Sequence, residues 1–426
     1  MLHEAISISG TDQTDVETVS DQQRAVCRDG VLACLRDLIH ASLSEGGVER
    51  TVLTHALYRS GSASMLADTR IGERGLDLDS LDRMSAASAV SRFFDLGTSG
   101  VDDYLMHAET LAEWADLIGH HFSAVGGEAK IVFMTSGSVG QPKACTHLLR
   151  ALAEEVTATA PVVCDPPPHR IVSLVPAHHM YGFLWSVLLG SRTGCDVINA
   201  ARWPATVLER RLQPDDVIVA TPSMWQALVD HQIVLPPGAR GLSSGAPMPA
   251  QLWEMLDDSG LTSLTEIFGS TETAGLGWRK QAGDPFALMP HLERDGDTIR
   301  FPRRHAPLVL QDELVWMDER AFRLAGRKDH AIQIAGVNVS LDHVRTTVLA
   351  SPLVEAAAIR EESGRLKAFI VPQTEIELLD EAAFVAELSA WLRGQLAAPA
   401  RPVSFTLGAE LPRNSMGKIT DWSTAP

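Results

Sequence analysis

The sequence lacks three features that would place it in a simple class. Its five cysteines lie at wide spacings and form no Cys-x-x-Cys pair or cluster with histidine, which excludes a disulfide scaffold and a structural zinc site. No run of about 18 apolar residues is present, so a membrane-spanning helix is not expected. The N-terminus also lacks the basic and apolar regions of a signal peptide. Together these absences predict a cytoplasmic protein with free thiols.

Positive charge is scarce as well. The chain carries 36 Lys and Arg residues against 54 Asp and Glu residues, which gives a formal net charge of -18. Such an acidic chain is a poor candidate for binding nucleic acid or an anionic membrane, and any phosphate-bearing ligand must be met by local donors. With 426 residues, of which 45% are hydrophobic, two or three domains are expected.

Hydrophobic spacing divides the chain into segments of different character. Residues 1–23 are polar and are expected to form a flexible N-terminus. Residues 24–122 show mainly the 3.6-residue period of amphipathic helices. From about residue 130, short apolar runs that end in turn residues alternate with helical stretches. This alternation is typical of an α/β sheet flanked by helices, with ligand-binding groups at the strand ends.

The last hundred residues form a separate pattern. After Gly326, apolar runs and helical segments follow one another as in a compact α+β module. We therefore predict an α/β fold with a large domain at residues 24–325 and a small C-terminal domain at residues 326–426.

A loop of small residues follows the first apolar run of the α/β region. It reads Thr-Ser-Gly-Ser-Val-Gly-Gln-Pro-Lys, from Thr135 to Lys143. Small residues let backbone N–H groups wrap a polyphosphate, and the lysine adds a cation. The loop is not a Walker A motif, because proline precedes the lysine. An ordinary turn is the alternative interpretation. The candidate phosphate-binding residues are Thr135, Ser136, Gly137, Ser138, Gly140 and Lys143.

This loop resembles the phosphate loop of the acyl-adenylate-forming superfamily, which includes acyl- and aryl-CoA ligases, peptide-synthetase adenylation domains and luciferases. Further motifs of that superfamily follow in the same order between about residues 130 and 420. The chain is thereby identified as a member, similar to short aryl-acid:CoA or acyl-carrier-protein ligases. It departs from the pattern at Val139, where a threonine is usual, so one hydroxyl donor to the phosphates is missing.

Two further motifs concern the acid and the adenine. The segment Pro176–Gly182 matches the one whose histidine borders the acid pocket, and His179 takes that place. The four residues that resemble the adenine-side loop are small, so that a flat base can lie against backbone. The ordinary alternatives are a buried histidine pair and a βα turn. The loop residues are Ser244, Gly245, Ala246 and Pro247.

The next motif, Phe268-Gly269-Ser270-Thr271-Glu272, matches the aromatic-Gly-x-Thr-Glu pattern of the superfamily. The resemblance implies that Thr271 contacts phosphate and that Glu272 holds Mg²⁺, a role that suits a hard carboxylate oxygen. Alternatively, the segment is a strand-end turn with a solvated acid.

The remaining motifs lie towards the C-terminus. Asp312 and Arg327 stand in the order of the ribose-binding acid and its arginine partner. Asp329 matches the hinge about which a mobile C-terminal lid domain rotates, and Gly336 matches the glycine of the pantetheine tunnel. Lys418, in Leu-Pro-Arg-Asn-Ser-Met-Gly-Lys-Ile, resembles the terminal catalytic lysine.

The resemblance implies a two-step reaction. A small carboxylic acid attacks the α-phosphate of ATP, with Lys418, Thr271, Glu272 and His179 as catalytic residues and Mg²⁺ as the metal. A phosphopantetheine thiol then takes the acyl group. We expect an aromatic or medium acyl acid and an acyl carrier protein as acceptor. The alternatives are coenzyme A as acceptor and, less favoured, a nucleotide-binding relative without catalysis.

Three features outside these motifs leave alternatives open. Asp79-Ser80-Leu81 resembles a carrier-protein phosphopantetheine site in outline, but Ser80 as a helix cap is the favoured interpretation. Aromatic residues of the histidine segment are candidates for stacking on a substrate ring, or else belong to the core. An arginine cluster is a candidate for binding a 3′-phosphate or an acidic carrier, or else is a solvated strand. The aromatic residues are Tyr181, Phe183 and Trp185, and the arginines are Arg300, Arg303 and Arg304.

Overall fold

A computed structural model describes residues 26–44, 51–59, 61–72, 75–135, 143–301, 310–327, 331–334, 337–373, 381–412 and 422. The chain divides into two compact units. The first unit contains an α/β sheet with helices on it and the second is α+β, so the predicted fold class is confirmed. The first unit is formed by Met1–Phe133, Cys145–Pro307 and Asp318–Ala321, and the second by Met134–Ala144, Leu308–Met317 and Phe322–Pro426.

The first unit begins with helices, as the 3.6-residue period predicts. Helix α4 starts with a capping box, in which Thr110 and Glu113 bind each other's backbone N–H groups. Helix α3 is capped by Asp79, whose side chain accepts from the N–H groups of Leu81 and Asp82. The expectation that Ser80 is the cap was therefore wrong by one residue. The helices are α1 (Arg28–Leu43), α2 (Thr51–Tyr58), α3 (Ser80–Phe94) and α4 (Leu111–Val125), with 3₁₀ turns at Ser64–Leu66, Leu96–Thr98, Val101–Met106 and Gly126–Glu128.

The sheet of the first unit combines parallel and antiparallel strands. Its strands follow the order β9-β8-β7-β6-β5-β3-β4, and the five strands from β7 to β4 run parallel. Strand β5 is buried along its whole length, as expected for a parallel strand covered by helices on both faces. The strands are β3 (Arg170–Ser173), β4 (Asp196–Asn199), β5 (Val217–Ala220), β6 (Arg240–Ser243), β7 (Ser263–Ser270), β8 (Ala274–Arg279) and β9 (Phe286–Leu288).

Helices connect the parallel strands and enclose an apolar core. Trp225 on α9 and Leu256 on α10 are buried against the strands, together with Ile218 of β5. One helical segment includes a π-helix, Phe183–Leu188, between α6 and α7. The helices are α5 (Leu149–Val163), α6 (Met180–Gly182), α7 (Leu189–Thr193), α8 (Ala205–Arg211), α9 (Pro222–Asp230) and α10 (Ala250–Asp258). Two small sheets are β1 (Lys130–Thr135) with β2 (Lys143–Leu148), and β10 (Glu293–Asp295) with β11 (Thr298–Arg300).

The second unit has a three-stranded sheet, order β16-β17-β18, covered by two helices. Apolar side chains such as Val344, Ile370 and Leu388 are fully buried in its core. The strands are β12 (Asp312–Trp316), β13 (Ala321–Arg327), β14 (Ala331–Ile334), β15 (Val337–Ser340), β16 (Val354–Glu362), β17 (Arg365–Pro372) and β18 (Ser404–Leu407). The helices are α11 (Leu341–Leu349) and α12 (Glu381–Arg393), with a 3₁₀ turn at Ala398–Ala400. Within the described part of the chain, no helix is both long and apolar enough for a bilayer span.

Candidate active site

Three of the predicted motifs follow the carboxyl ends of neighbouring strands in the first unit. The histidine segment follows β3, the Ser244 loop follows β6, and Thr271 and Glu272 follow β7. Strands β3, β5, β6 and β7 are parallel neighbours, so their carboxyl ends meet along one edge of the sheet. This edge is where open α/β sheets bind ligands.

The histidine segment turns sharply between β3 and α6. The N–H of His179 donates to the carbonyl of Pro176 at 3.3 Å, which closes the turn. Gly182 permits a close approach of that same carbonyl, because a Cβ there would lie 2.1 Å from the Pro176 oxygen. The turn therefore holds His179 at the start of a helix, with its side chain exposed at the sheet edge.

Both histidines of the segment are expected to be neutral near pH 7. Desolvation by the surrounding protein, together with the neighbouring His179, lowers the pKa of His178 to about 4. Desolvation also lowers the pKa of His179, although the residue is exposed. The two rings are 4.4 Å apart between centroids. A neutral His179 can orient a carboxylate by a hydrogen bond but does not supply a full positive charge.

The structure decides between the two alternatives that the sequence leaves open for the aromatic residues after His179. Phe183 and Trp185 are buried in the core, where Phe183 packs edge-on against Phe133 and Phe93, so the core alternative is confirmed for both. Tyr181 donates its hydroxyl to the carbonyl of Ala220, at the end of β5, over 3.3 Å. That hydrogen bond ties the start of the helix to the sheet edge.

The Ser244 loop presents backbone to the same edge. Ser244 is buried, and Gly245 has φ = +90°, a conformation that a residue with a side chain rarely adopts. The loop is anchored by Glu266, a buried acid that accepts from the N–H of Met248 at 2.9 Å and pairs with Arg279 at 2.7 Å. A bare, fixed backbone of this kind suits a flat base.

The Thr271–Glu272 turn joins β7 to β8. Gly269 is required there, because a Cβ would lie 2.0 Å from the carbonyl oxygen of Ala274. The Nε2 of His147 donates to the carbonyl of Thr271 at 2.7 Å, and this hydrogen bond holds the turn in place. Thr271 and Glu272 are half-buried at its tip, and Phe268 of β7 packs against Phe286 of β9.

The remaining predicted residues belong to the second unit or lie outside the described residues. Asp312 and Arg327 are register partners, directly opposite each other across β12 and β13. Thr135 ends β1, and Lys143 begins β2 with an exposed side chain. The side chains of Thr135 and Arg327 are outside the described part of the chain, as are Ser136, Gly137, Ser138, Val139, Gly140, Asp329, Gly336 and Lys418.

Several residues that support the site carry no motif. Asp37 on α1 accepts from the N–H of Ala177 at 2.6 Å, and Glu155 on α5 accepts from the N–H of Gly275 at 2.7 Å. Glu266 holds the Ser244 loop in the same way. One signal in the sequence could have revealed Asp37, because it lies with Arg36 inside the apolar stripe of a helix.

The site can be tested for its fit to a nucleotide and magnesium. Among the described residues, no group of three or more His, Cys, Asp or Glu side chains is placed to hold a metal ion. Magnesium bound through nucleotide phosphates needs only one or two protein carboxylates, because it keeps water and phosphate ligands. Glu272 at the turn satisfies that requirement, and the Ser244 loop offers the backbone surface for a base.

Comparison with known proteins gives consistent results. A family model described as AMP-binding enzyme matches residues 51–306. A protein from Cereibacter sphaeroides named 4-coumarate–CoA ligase is 42% identical over 358 residues, 83% of this chain and 86% of that one. Another of that name from Halorhodospira halophila is 36% identical over 408 residues, 92% and 98% of the two chains. The structure of amide bond synthetase McbA from Marinactinospora thermotolerans is similar in fold, with a TM-score of 0.58, 15% identity, and coverage of 91% and 92%.

Proposed function

Because the chain belongs to the AMP-binding enzyme family and is an acid–thiol ligase of the AMP-forming class, we propose that it is an aryl-acid–CoA ligase. It activates a hydroxycinnamate-like acid with ATP as an acyl-adenylate and transfers the acyl group to coenzyme A. The observation that carries the proposal is the 42% identity, over 83% of this chain, to a protein named 4-coumarate–CoA ligase. The sheet-edge arrangement of His179, Ser244 and Thr271 supports it.

The first half-reaction joins two anions. The oxygen of the acid carboxylate attacks the α-phosphorus, the bond to the leaving oxygen breaks, and pyrophosphate departs. Repulsion between the anions makes the barrier largely one of charge and position. His179 orients the carboxylate as a neutral donor, the Ser244 loop holds the adenine, and Thr271 donates to a phosphate oxygen. Magnesium held by Glu272 supplies neutralising charge when bound.

The remaining motif residues have the roles that the resemblance to the superfamily implies. Lys418 compensates the charge that develops between the carboxylate and the α-phosphate. Asp312 accepts from the ribose hydroxyls, with Arg327 as its partner across the hairpin. Asp329 is the hinge of a C-terminal domain at residues 326–426, and Gly336 lines the pantetheine tunnel. The phosphates lie on the loop from Thr135 to Lys143.

Coenzyme A is preferred over a carrier protein as the acceptor. The two relatives described above are named as CoA ligases, whereas the described basic residue that is a candidate contact for an acidic carrier is already paired. Arg300 is paired with Glu293 across β10 and β11, so the described member of the arginine cluster is neutralised.

Pyrophosphate exchange into ATP, measured with Mg²⁺ across hydroxycinnamates, hydroxybenzoates and fatty acids, tests the first step. We expect exchange that depends on a hydroxycinnamate. Thioester formation is then measured with coenzyme A and, separately, with a phosphopantetheinylated carrier protein. Product with the carrier alone would replace the proposed acceptor, and absence of exchange from protein that binds ATP would contradict catalysis altogether.

A further inference from the structure

We propose that Asp37, on helix α1, is a positioning residue that sets the orientation of His179 for the acid substrate. The inference rests on the proposed function, because it assigns Asp37 a role in acid activation. It concerns a part of the chain that none of the sequence motifs covers.

Asp37 holds the backbone of the histidine segment directly. Its Oδ2 accepts from the N–H of Ala177 at 2.6 Å, two residues before His179. Helix α1 also contacts the carbonyl of the same residue, since the Sγ of Cys34 lies 3.7 Å from the Ala177 carbonyl oxygen. Helix α1 therefore binds both polar atoms of one residue in a turn that has no strand partner.

The remaining capacity of the carboxylate is filled by a buried network. Its Oδ1 accepts from Arg36 at 3.0 Å and from the Tyr58 hydroxyl at 2.7 Å, and its Oδ2 also accepts from Asn199 at 3.3 Å. The carboxylate thus meets four donors, which is about the number that its lone pairs can accept. Such a saturated group has one orientation only.

Asp37 remains ionised in this environment. Burial alone would raise the pKa of its carboxyl, but the Arg36 guanidinium, His178 and the Ala177 N–H together lower the pKa below its usual value. Both Asp37 and Arg36 are almost completely buried, at 2% and 1% exposure. A charged acceptor binds an N–H more strongly than a neutral one, so the anchor on Ala177 is stiff.

The anchor reaches His179 through a short, closed turn. From Ala177 the chain passes through His178, whose ring contacts that of His179, and the N–H of His179 returns to the Pro176 carbonyl. A displacement of Ala177 therefore moves the ring of His179. Since an error of about 1 Å in a positioning group can cost about 100-fold in rate, a modest movement is sufficient to matter.

The test uses Asp37→Asn with Asp216→Asn as its matched control. In Asp37→Asn the amide oxygen is expected to face the Arg36 guanidinium, the stronger donor, which leaves the amide NH₂ against the Ala177 N–H. Asp216 is an equally buried acid paired with Arg170 at 2.6 Å, but it lies at the amino ends of the strands, away from the histidine segment. Both variants lose the charge opposite an arginine.

We expect kcat/KM for the acid to fall at least about tenfold in Asp37→Asn, with the KM for ATP changed by less than about twofold. Asp216→Asn should lower the thermal midpoint yet keep kcat/KM for the acid. In a double-mutant cycle, Asp37→Asn should add nothing to His179→Ala, because Asp37 acts through that ring. Equal loss of kcat/KM in both Asn variants, or additive effects in the cycle, would overturn the inference.

A second readout separates this inference from the proposed function. The imidazole resonances of His179, followed by NMR in labelled protein, should shift in Asp37→Asn and not in Asp216→Asn, and unshifted resonances would overturn the positioning role. If the wild-type protein shows no acid-dependent exchange, the proposed function fails. The resonances still test whether Asp37 sets the orientation of His179. Should Asp37→Asn not fold, Asp37→Glu keeps the charge beside Arg36 but moves the carboxylate by one methylene, and the same measurements apply.

Discussion

Replacing Gly269 by alanine should impair adenylation by moving the Thr271–Glu272 turn. The new Cβ would lie 2.0 Å from the Ala274 carbonyl oxygen, whereas ordinary van der Waals contact begins at 3.4 Å. The obstacle is backbone, so the hairpin itself must shift by more than an ångström. We expect a loss of about 1–3 kcal/mol in the free energy of unfolding, and about 100-fold in pyrophosphate exchange.

The control for this variant is Gly119→Ala, in helix α4. A Cβ at Gly119 meets nothing within 4 Å, and alanine in a helix interior is favoured over glycine by about 0.5–1 kcal/mol. Gly119→Ala should therefore be slightly stabilised and fully active. Denaturant unfolding and exchange kinetics are measured on both proteins. A folded Gly269→Ala protein with the exchange rate of the wild type would refute the argument that this turn must be tight for catalysis.

Three further predictions concern the lysine motif, a buried histidine and a helix cap. Lys418→Ala should lower pyrophosphate exchange about 100- to 1000-fold while thioester formation from a synthetic acyl-adenylate largely persists; equal loss of both steps would contradict a lysine specific to adenylation. Burial lowers the pKa of His291 to about 4, below its unfolded value, so its stabilising contribution is complete above about pH 6.5 and is lost as the pH falls towards 4. The unfolding free energy should fall by up to about 1.4 kcal/mol per pH unit in that window, and His291→Gln should flatten the slope measured by denaturant titration. Thr110→Ala should cost about 1 kcal/mol through loss of the capping box, and an unchanged denaturation midpoint would show that the box does not stabilise α4.

The elements that the sequence predicts well are those whose pattern is local. Strand β5 is a continuous apolar run, and α4 has both a 3.6-residue stripe and a capping signal at Thr110. Strands β6 and β8 are not evident from the sequence, because Arg-Gly-Leu-Ser and Ala-Gly-Leu-Gly-Trp-Arg contain glycine and have weak strand propensity. They become strands by pairing with β5 and β7, and a short stretch of sequence does not reveal pairing with strands that are distant along the chain.

The site shows the same division between local and distant information. The motif residues His179, Ser244 and Thr271 could be located from the sequence because short segments carry the resemblance. Arg36 and Asp37 inside an apolar stripe mark a buried charged pair, but the contact of Asp37 with Ala177 could not be predicted, because the two residues are 140 positions apart and only the folded chain brings them together. Likewise, Phe183 and Trp185 could not be separated from substrate-stacking residues until their burial was known.

The π-helix between α6 and α7 sets the angle between the side-chain surfaces of the helical segments before and after it, and adding or removing one residue would change that angle. Each residue advances an α-helix by about 100°, so a stretch with wider turns shifts the phase of everything that follows it. The segment before Phe183–Leu188 points Tyr181 at the sheet edge, while the segment after it packs Leu189 into the interior. Deleting one residue within this stretch would rotate one surface against the other by about a quarter turn, and both could no longer face their present neighbours. The number of residues in this stretch therefore fixes the orientation of the surface at the sheet edge relative to the surface that packs in the core. Insertions or deletions there should be tolerated far less than substitutions.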